Sequence, residues 1–274
     1  MNIMAQYWWL IPLGFGVGGY GTLIGAGGGF VLVPALLLLY PDASPDTVTS
    51  ISLAVVFCNA LSGSWAYARM GRIDYLSGLL LAAATVPGAI LGALTTNSIP
   101  RQLFDAVFGL LMILASVFLF FCRIEEGKAR ESRGCHRFNR NLVEKDGTVH
   151  VFSYDPRIAA GLSLLVGYIS SLLGLGGGIV HVPILVRFLN FPVHIATATS
   201  HLALAIMALT GTLVHIATGA FSHGVRRTIA LAIGVLLGAQ VGARLSSRTR
   251  GIWIIRGLAI ALAMVGLRLL ILAL

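Results

Sequence analysis

The sequence predicts an all-α membrane protein made of two homologous repeats of about four helical segments each, the first segment of each broken by a glycine-rich motif. Three observations predict it. Hydrophobic residues make up 57% of the 274 positions and charged residues 11%, with a mean hydropathy of +0.89, whereas soluble domains carry roughly 25% charged residues. Apolar runs of about 20 residues recur along the chain, each long enough to cross a bilayer as a helix. These runs form two series that resemble each other in order and spacing.

Helices are expected rather than a barrel, because strong helix formers dominate and clean alternation is absent. The stretch GTLIGAGGGFVLVP at 21–34 matches SSLLGLGGGIVHVP at 170–183. Gly25, Gly27, Gly28, Gly29 and Pro34 thus align with Gly174, Gly176, Gly177, Gly178 and Pro183. Further on, Thr47, Thr49 and Ser50 are paired with Thr197, Thr199 and Ser200, and Gly63 with Gly211. Gly88 and Gly92 pair with Gly238 and Gly242.

The domains read as a first transmembrane repeat over 1–122, a polar linker over 123–157 and a second repeat over 158–274. Each repeat opens with a broken segment (8–40; 158–190). Ordinary spans follow near 48–68, 75–95 and 103–121, then near 196–218, 228–245 and 252–272. The linker is rich in Lys and Arg and is expected on the cytoplasmic side. A broken segment of about 30 residues is too long for one upright helix and too short for two spans. It is either a re-entrant hairpin, which inverts the repeats, or a tilted interrupted crossing, which leaves them parallel. The first ten residues lack Lys and Arg, so no cleaved signal peptide is expected.

The net charge of +9 does not point to nucleic acid. The linker nearly cancels itself, and the excess is arginine at helix ends, where basic residues set topology. Cys58, Cys122 and Cys135 are scattered, without a CxxC, and read as free thiols. Cys58, beside Asn59, reads as a small packing residue. No metal-ligand spacing, paired carboxylates or Ser/His/Asp set appears, so neither a cofactor nor an enzyme is expected.

The candidate site is built from the two breaks. Consecutive glycines weaken a helix, and the freed backbone groups survive at membrane depth only when packed in protein or lining a wet cavity. Half-helix N-termini then offer partial positive charge and spare N–H donors to an anion. Gly27, Gly28, Gly29, Gly176, Gly177 and Gly178 are therefore candidate substrate-binding residues. Thr49, Ser50, Thr199, Ser200 and His201, at the start of the following helix in each half, join them, as does the deeper Asn59. Their hydroxyl and amide donors can replace the water around an oxyanion. His181, His201 and His215 lie in apolar segments and are candidates for proton coupling. No Asp or Glu follows Asp155, and this scarcity favours an anionic substrate.

The paired GxGGGxxxxP breaks resemble those of the TauE/SafE family, the sulfite exporter-like permeases. So do Thr49-Ser50-Ile-Ser-Leu with Asn59, Tyr67-Ala-Arg-Met-Gly-Arg-Ile-Asp74 and Gly238-Ala-Gln-Val-Gly-Ala-Arg-Leu245. The resemblance covers nearly the whole chain. It implies a duplicated helical permease of the inner membrane, moving sulfur-containing or organic anions such as sulfite, sulfoacetate or thiosulfate. Its linker is longer than that of a minimal member. The function expected is a secondary transporter working by alternating access; the alternatives are a passive anion channel and a membrane-embedded sulfur-handling enzyme. The partners expected are the small anion, the lipid bilayer and, as an open option, a second copy in a homodimer.

Overall fold

The computed structural model describes residues 7–121, 138–145, 147–246 and 252–273. Cys122, Cys135, Arg248 and Arg250 lie outside the described residues. The protein is mostly helical. The first segment divides into α1 (Leu10–Ile24) and α2 (Gly29–Leu39), followed by α3 (Pro45–Met70), α4 (Tyr75–Thr96) and α5 (Arg101–Phe121). A β-hairpin of β1 (Phe138–Val143) and β2 (Val149–Tyr154) precedes α6 (Pro156–Leu173) and α7 (Gly178–Phe188). Then come α8 (Val193–Ala217), α9 (Val225–Ser246) and α10 (Ile252–Ala273). Among the described residues, five helices (α3, α4, α6, α8 and α9) are long and apolar enough to cross a membrane.

Helix boundaries follow local chemistry. Ser44 caps α3 by accepting from the Thr47 amide, with Pro45 in the first turn, and Gly71 closes the helix in the left-handed region at φ 74°. Asp155 caps α6 in the same way, again followed by proline.

Contacts at the helix ends define two faces. On one, His215 Nδ1 lies 2.8 Å from Asp46 Oδ1, joining the end of α8 to the start of α3. There too the Arg227 guanidinium, near the start of α9, stacks 3.8 Å from the centre of the Tyr40 ring at the end of α2. On the opposite face the β-hairpin docks. Phe152 and Tyr154 stack on Phe191, just beyond α7, with ring centroids 4.4 and 5.1 Å apart.

These contacts settle how the broken segments run. Tyr154 and Phe191 flank the α6–α7 segment and touch each other, so this segment enters and leaves on the hairpin face. α1 runs parallel to α9. A Cβ on Gly14 would sit 2.4 Å from the Leu231 carbonyl, one on Gly18 2.6 Å from the Val235 Cα, and one on Gly242 2.1 Å from the Gly19 carbonyl. Both α1 and α9 therefore start on the Arg227 face, where α2 also ends. Both broken segments are re-entrant hairpins, inserted from opposite faces, and α3 and α8 cross in opposite senses.

Glycine stripes hold each hairpin. A Cβ on Gly234 would lie 2.1 Å from the Ile11 carbonyl, and one on Gly238 2.2 Å from the Phe15 carbonyl. On α4, the same addition at Gly88 and Gly92 would come within 2.1 Å of the Leu164 carbonyl and 2.3 Å of the Tyr168 carbonyl. Hence α9 carries α1, and α4 carries α6. In lipid, where apolar burial gives helices little reason to associate, such close backbone approach supplies the packing.

The β-hairpin is anchored by charge. Arg140 donates from Nε to Asp74 Oδ2 at 2.9 Å and from Nη2 to Oδ1. Arg72 donates to Glu144 at 2.7 Å, and Tyr154 donates to Ser77 Oγ, which donates to Asp74. Burial of Asp74 opposes its ionisation, but the Arg140 guanidinium and the Ser77 hydroxyl outweigh it, so its carboxyl is held below the usual carboxylate range.

Two measurements check this architecture. A membrane-impermeant maleimide should label Asn141→Cys and Arg187→Cys from one side of a vesicle and Ser44→Cys from the other; Arg187→Cys labelling with Ser44→Cys would contradict the re-entrant path. A carboxyl depressed by folding stabilises above its unfolded pKa of about 3.9 and loses that contribution as pH falls through the folded value. Arg140→Ala should therefore lower stability by about 1–3 kcal/mol at neutral pH, discounted for the part-exposed arginine, and flatten the acid limb of the melting curve.

Candidate functional site

The tips of the two hairpins meet in the interior. Gly25, Gly27 and Gly28 have φ of 84°, 73° and 84°, and Gly174, Gly176 and Gly177 have φ of 67°, 78° and 74°. These are left-handed conformations that a side chain resists. The fourth glycine of each motif is helical and is required for another reason. A Cβ on Gly29 would lie 2.5 Å from the Leu175 carbonyl, and one on Gly178 2.3 Å from the Gly25 carbonyl. The GxGGG pattern thus combines three turn residues with one contact to the opposite tip. Val56 and Leu204 pack at the crossing, Val56 against Gly27 and Gly176, and Leu204 against Gly27.

Side chains satisfy the backbone groups released by the breaks. Asn59 Nδ2 donates to the Gly27 carbonyl at 2.9 Å, while its Oδ1 accepts from Thr22 Oγ1 at 3.2 Å. Ser52 Oγ donates to the Gly174 carbonyl at 2.6 Å, and Ser200 Oγ reaches the Gly25 carbonyl at 3.4 Å. Tyr67 donates to the Thr22 carbonyl at 2.8 Å. The structure therefore sets Ser52, not Ser50, opposite Ser200. Likewise Thr49 and Thr197, rather than Thr49 and Thr199, touch the two breaks, at Gly174 and Gly25 respectively.

Of the expected site residues, the six glycines, Asn59, Ser200 and His201 gather around the two tips, and Thr49 adds an apolar contact. Ser50 turns its hydroxyl back to the Thr47 carbonyl in its own helix. Thr199 Oγ1 accepts from the Asp74 amide near the hairpin face. The three histidines occupy separate places. His181 Nε2 lies 3.2 Å from Ser163 Oγ inside the second hairpin. His215 is at the Asp46 end of α8, 14 residues from His201 and so roughly 21 Å along the axis. His201 is fully buried beside Gly63 and Tyr67. Thr22 is a partner that sequence reading did not single out; a hydroxyl three residues before a helix-ending glycine is the signal that would have found it. Cys58 is a free, partly buried thiol against the core.

Among the described residues no cluster of three metal-ligating side chains occurs. Every described carboxylate lies near a helix start, in a connecting loop or in the β-hairpin. Within the bilayer-depth core, the polar inventory is amide, hydroxyl, imidazole and backbone N–H at the starts of α2 and α7. Such a set solvates negative charge without a fixed countercharge.

Opposed re-entrant hairpins, crossing helices and, among the described residues, five helices long and apolar enough to span define the fold of a multi-pass membrane protein. The chain belongs to the family described as Sulfite exporter TauE/SafE, which matches residues 10–269. It is 30% identical over 267 residues to the "Probable membrane transporter protein YunE" of Bacillus subtilis, covering 95% of this chain and 96% of that one. It is 27% identical over 238 residues to a "Probable membrane transporter protein" of Xylella fastidiosa, covering 86% and 82%. No solved structure matches. The family description and the relatives' names are those of membrane transporters, and the chain is of that type rather than an enzyme.

Asn59→Ala should leave the Gly27 carbonyl buried and unpaired, costing about 1–3 kcal/mol and lowering the melting temperature in detergent. Ser50→Ala, whose hydroxyl serves only its own helix, should leave melting within about 0.5 kcal/mol of the parent.

Proposed function

We propose that the protein is a secondary transporter that carries a small anion, of the sulfur-oxyanion or organic-anion class, across the inner membrane by alternating access. The observation that carries this reading is the meeting of the two hairpin tips. It brings the N-termini of α2 and α7 to the interior together with Asn59, Ser52, Ser200 and His201. Helix N-termini aimed at a buried centre favour negative charge.

On this reading the two halves descend from one duplicated unit inserted in opposite senses. The β-hairpin face, which carries Arg69, Arg72, Arg140 and Arg244, is the cytoplasmic one by the excess of basic residues. Opposed hairpins let the two halves rock about a shared site, a route to access from either side. Packing at the crossing disfavours an open pore, because residues 25–30 and 174–179 are all buried.

Purified protein in proteoliposomes should show saturable uptake of at least one anion from a panel of sulfite, thiosulfate, sulfoacetate and acetate. Gly28→Ala, which forces a side chain into a left-handed position against Val17, should lower that uptake tenfold or more. Single-channel conductance in planar bilayers would replace the carrier with a channel. Absence of flux for every anion, with binding also absent in a thermal-shift panel, would remove the reading.

A further inference from the structure

The ring of His201 is held in one orientation and presents one unused atom. Nδ1 lies 3.3 Å from the Thr197 carbonyl oxygen, and a carbonyl only accepts, so Nδ1 carries the hydrogen. In the neutral imidazole Nε2 is then a lone-pair acceptor. Nε2 is buried without a partner, and the residue is 0% exposed. It faces Gly63, where a Cβ would stand 3.0 Å from Nε2 and 3.1 Å from the Thr22 methyl. A Cβ at position 63 would also come within 2.6 Å of the ring's Cδ2, so glycine is what lets α3 pack directly against this edge of the imidazole.

The neighbouring polar groups are engaged elsewhere. The Tyr67 ring meets His201 edge-on, with centroids 5.5 Å apart, and its hydroxyl donates to the Thr22 carbonyl. The Thr22 hydroxyl donates to Asn59, and the Asn59 amide donates to Gly27. Among the described residues, Tyr67 from α3 is the titratable side chain against the ring; α1 supplies Thr22, and α8 its own Thr197. At the matching corner of the other hairpin, Gly211 faces Leu53 and Ser171. Leucine cannot titrate, so the arrangement provides for a single proton.

Resting on the anion-transport reading above, we infer that the site takes each anion together with one proton, held between an anion oxygen and Nε2 of His201. A bare lone pair repels an anion; a hydrogen between them turns that contact into an N–H···O or O–H···N bond. The proton comes from water, either on the anion as an O–H or on the ring as imidazolium. Weak-acid oxyanions such as sulfite or a carboxylate can arrive in the first way, whereas strong-acid sulfonates depend on the second alone.

Calorimetric titration of the purified protein at pH 8, in two buffers of different ionisation enthalpy, tests this with sulfite, acetate and methanesulfonate as probes. The wild type should take up about one proton per sulfite bound and bind methanesulfonate at least tenfold more weakly. His201→Gln, which cannot titrate, should take up none, and Gly63→Ala, which crowds Nε2, should lower sulfite affinity tenfold or more. Binding without proton uptake in the wild type overturns the inference and leaves anion transport standing. The same uptake in a folded His201→Gln also overturns it. If no probe binds, the anion reading fails and takes this one with it. The wild-type measurement decides the matter even if a variant fails to fold.

Discussion

Non-helical backbone inside a bilayer must find its hydrogen-bond partners within the protein, because lipid offers none and each orphan costs several kcal/mol. The two glycine breaks create that demand, and much of the rest of the structure answers it. Asn59 serves the Gly27 carbonyl, Ser52 serves Gly174 and Ser200 reaches Gly25. Each of these side chains comes from a helix, α3 or α8, that must hold its depth against the hairpin tip to a fraction of an ångström. That positioning depends on the glycine stripes of α4 and α9, which let α6 and α1 lie backbone against backbone. Distributed glycine therefore does two jobs here: some residues permit the turn, and others bring up the helices that satisfy it.

Much of this was legible in the sequence, and the failures are instructive. The membrane class followed from composition, and the breaks from their repeated glycines, because left-handed φ leaves a compositional mark. The helix-start pairing slipped by two residues. Ser50-Ile51-Ser52 offers two hydroxyls that differ by half a helical turn, and letters alone favour matching Thr49-Ser50 to Thr199-Ser200. The hydrogen bond to Gly174 chooses Ser52. Hairpin direction was undecidable from hydropathy, since a re-entrant pair and an interrupted crossing have the same apolar length; Tyr154 against Phe191 decides it. The β-hairpin was missed although its signals were present. Alternation through Phe138, Arg140 and Leu142, a turn-forming Gly147, and the return through Phe152 and Tyr154 fit a strand pair. The many charges of that stretch mask its two-residue period.

Placement of charge separates two roles that a charge count merges. Arg72, Arg101 and Arg140 are each paired with a carboxylate at a helix end or on the hairpin, and Arg227 stacks on Tyr40. These groups fix loops and orientation. Around the two tips there is neither sign of fixed charge among the described residues, only dipoles and the imidazole of His201, whose Nε2 has no partner. On the anion-transport reading, a site made of dipoles would bind its substrate without trapping it, because no salt bridge must be broken for release. That property suits turnover better than tight retention.

The two tips also differ in what surrounds them, although their backbones are alike. Beside the first lie Thr22, Asn59, Tyr67 and His201; beside the second, Leu53, Met207 and the serines of α6. Tyr67 and its neighbour Ser246 place the polar corner toward the β-hairpin face, while Gly174 and Thr49 lie toward the other. On the anion-transport reading, a substrate leaving the polar corner must pass Val56 and Leu204, the apolar pair that closes on both breaks. Apolar side chains there exclude water and offer the anion nothing in compensation, so passage requires the tips to separate rather than the ion to squeeze between them. On the same reading, α1 packs on α9 and α6 on α4, each a helix of the opposite half, so a tilt of α9 and α4 would carry the two tips apart.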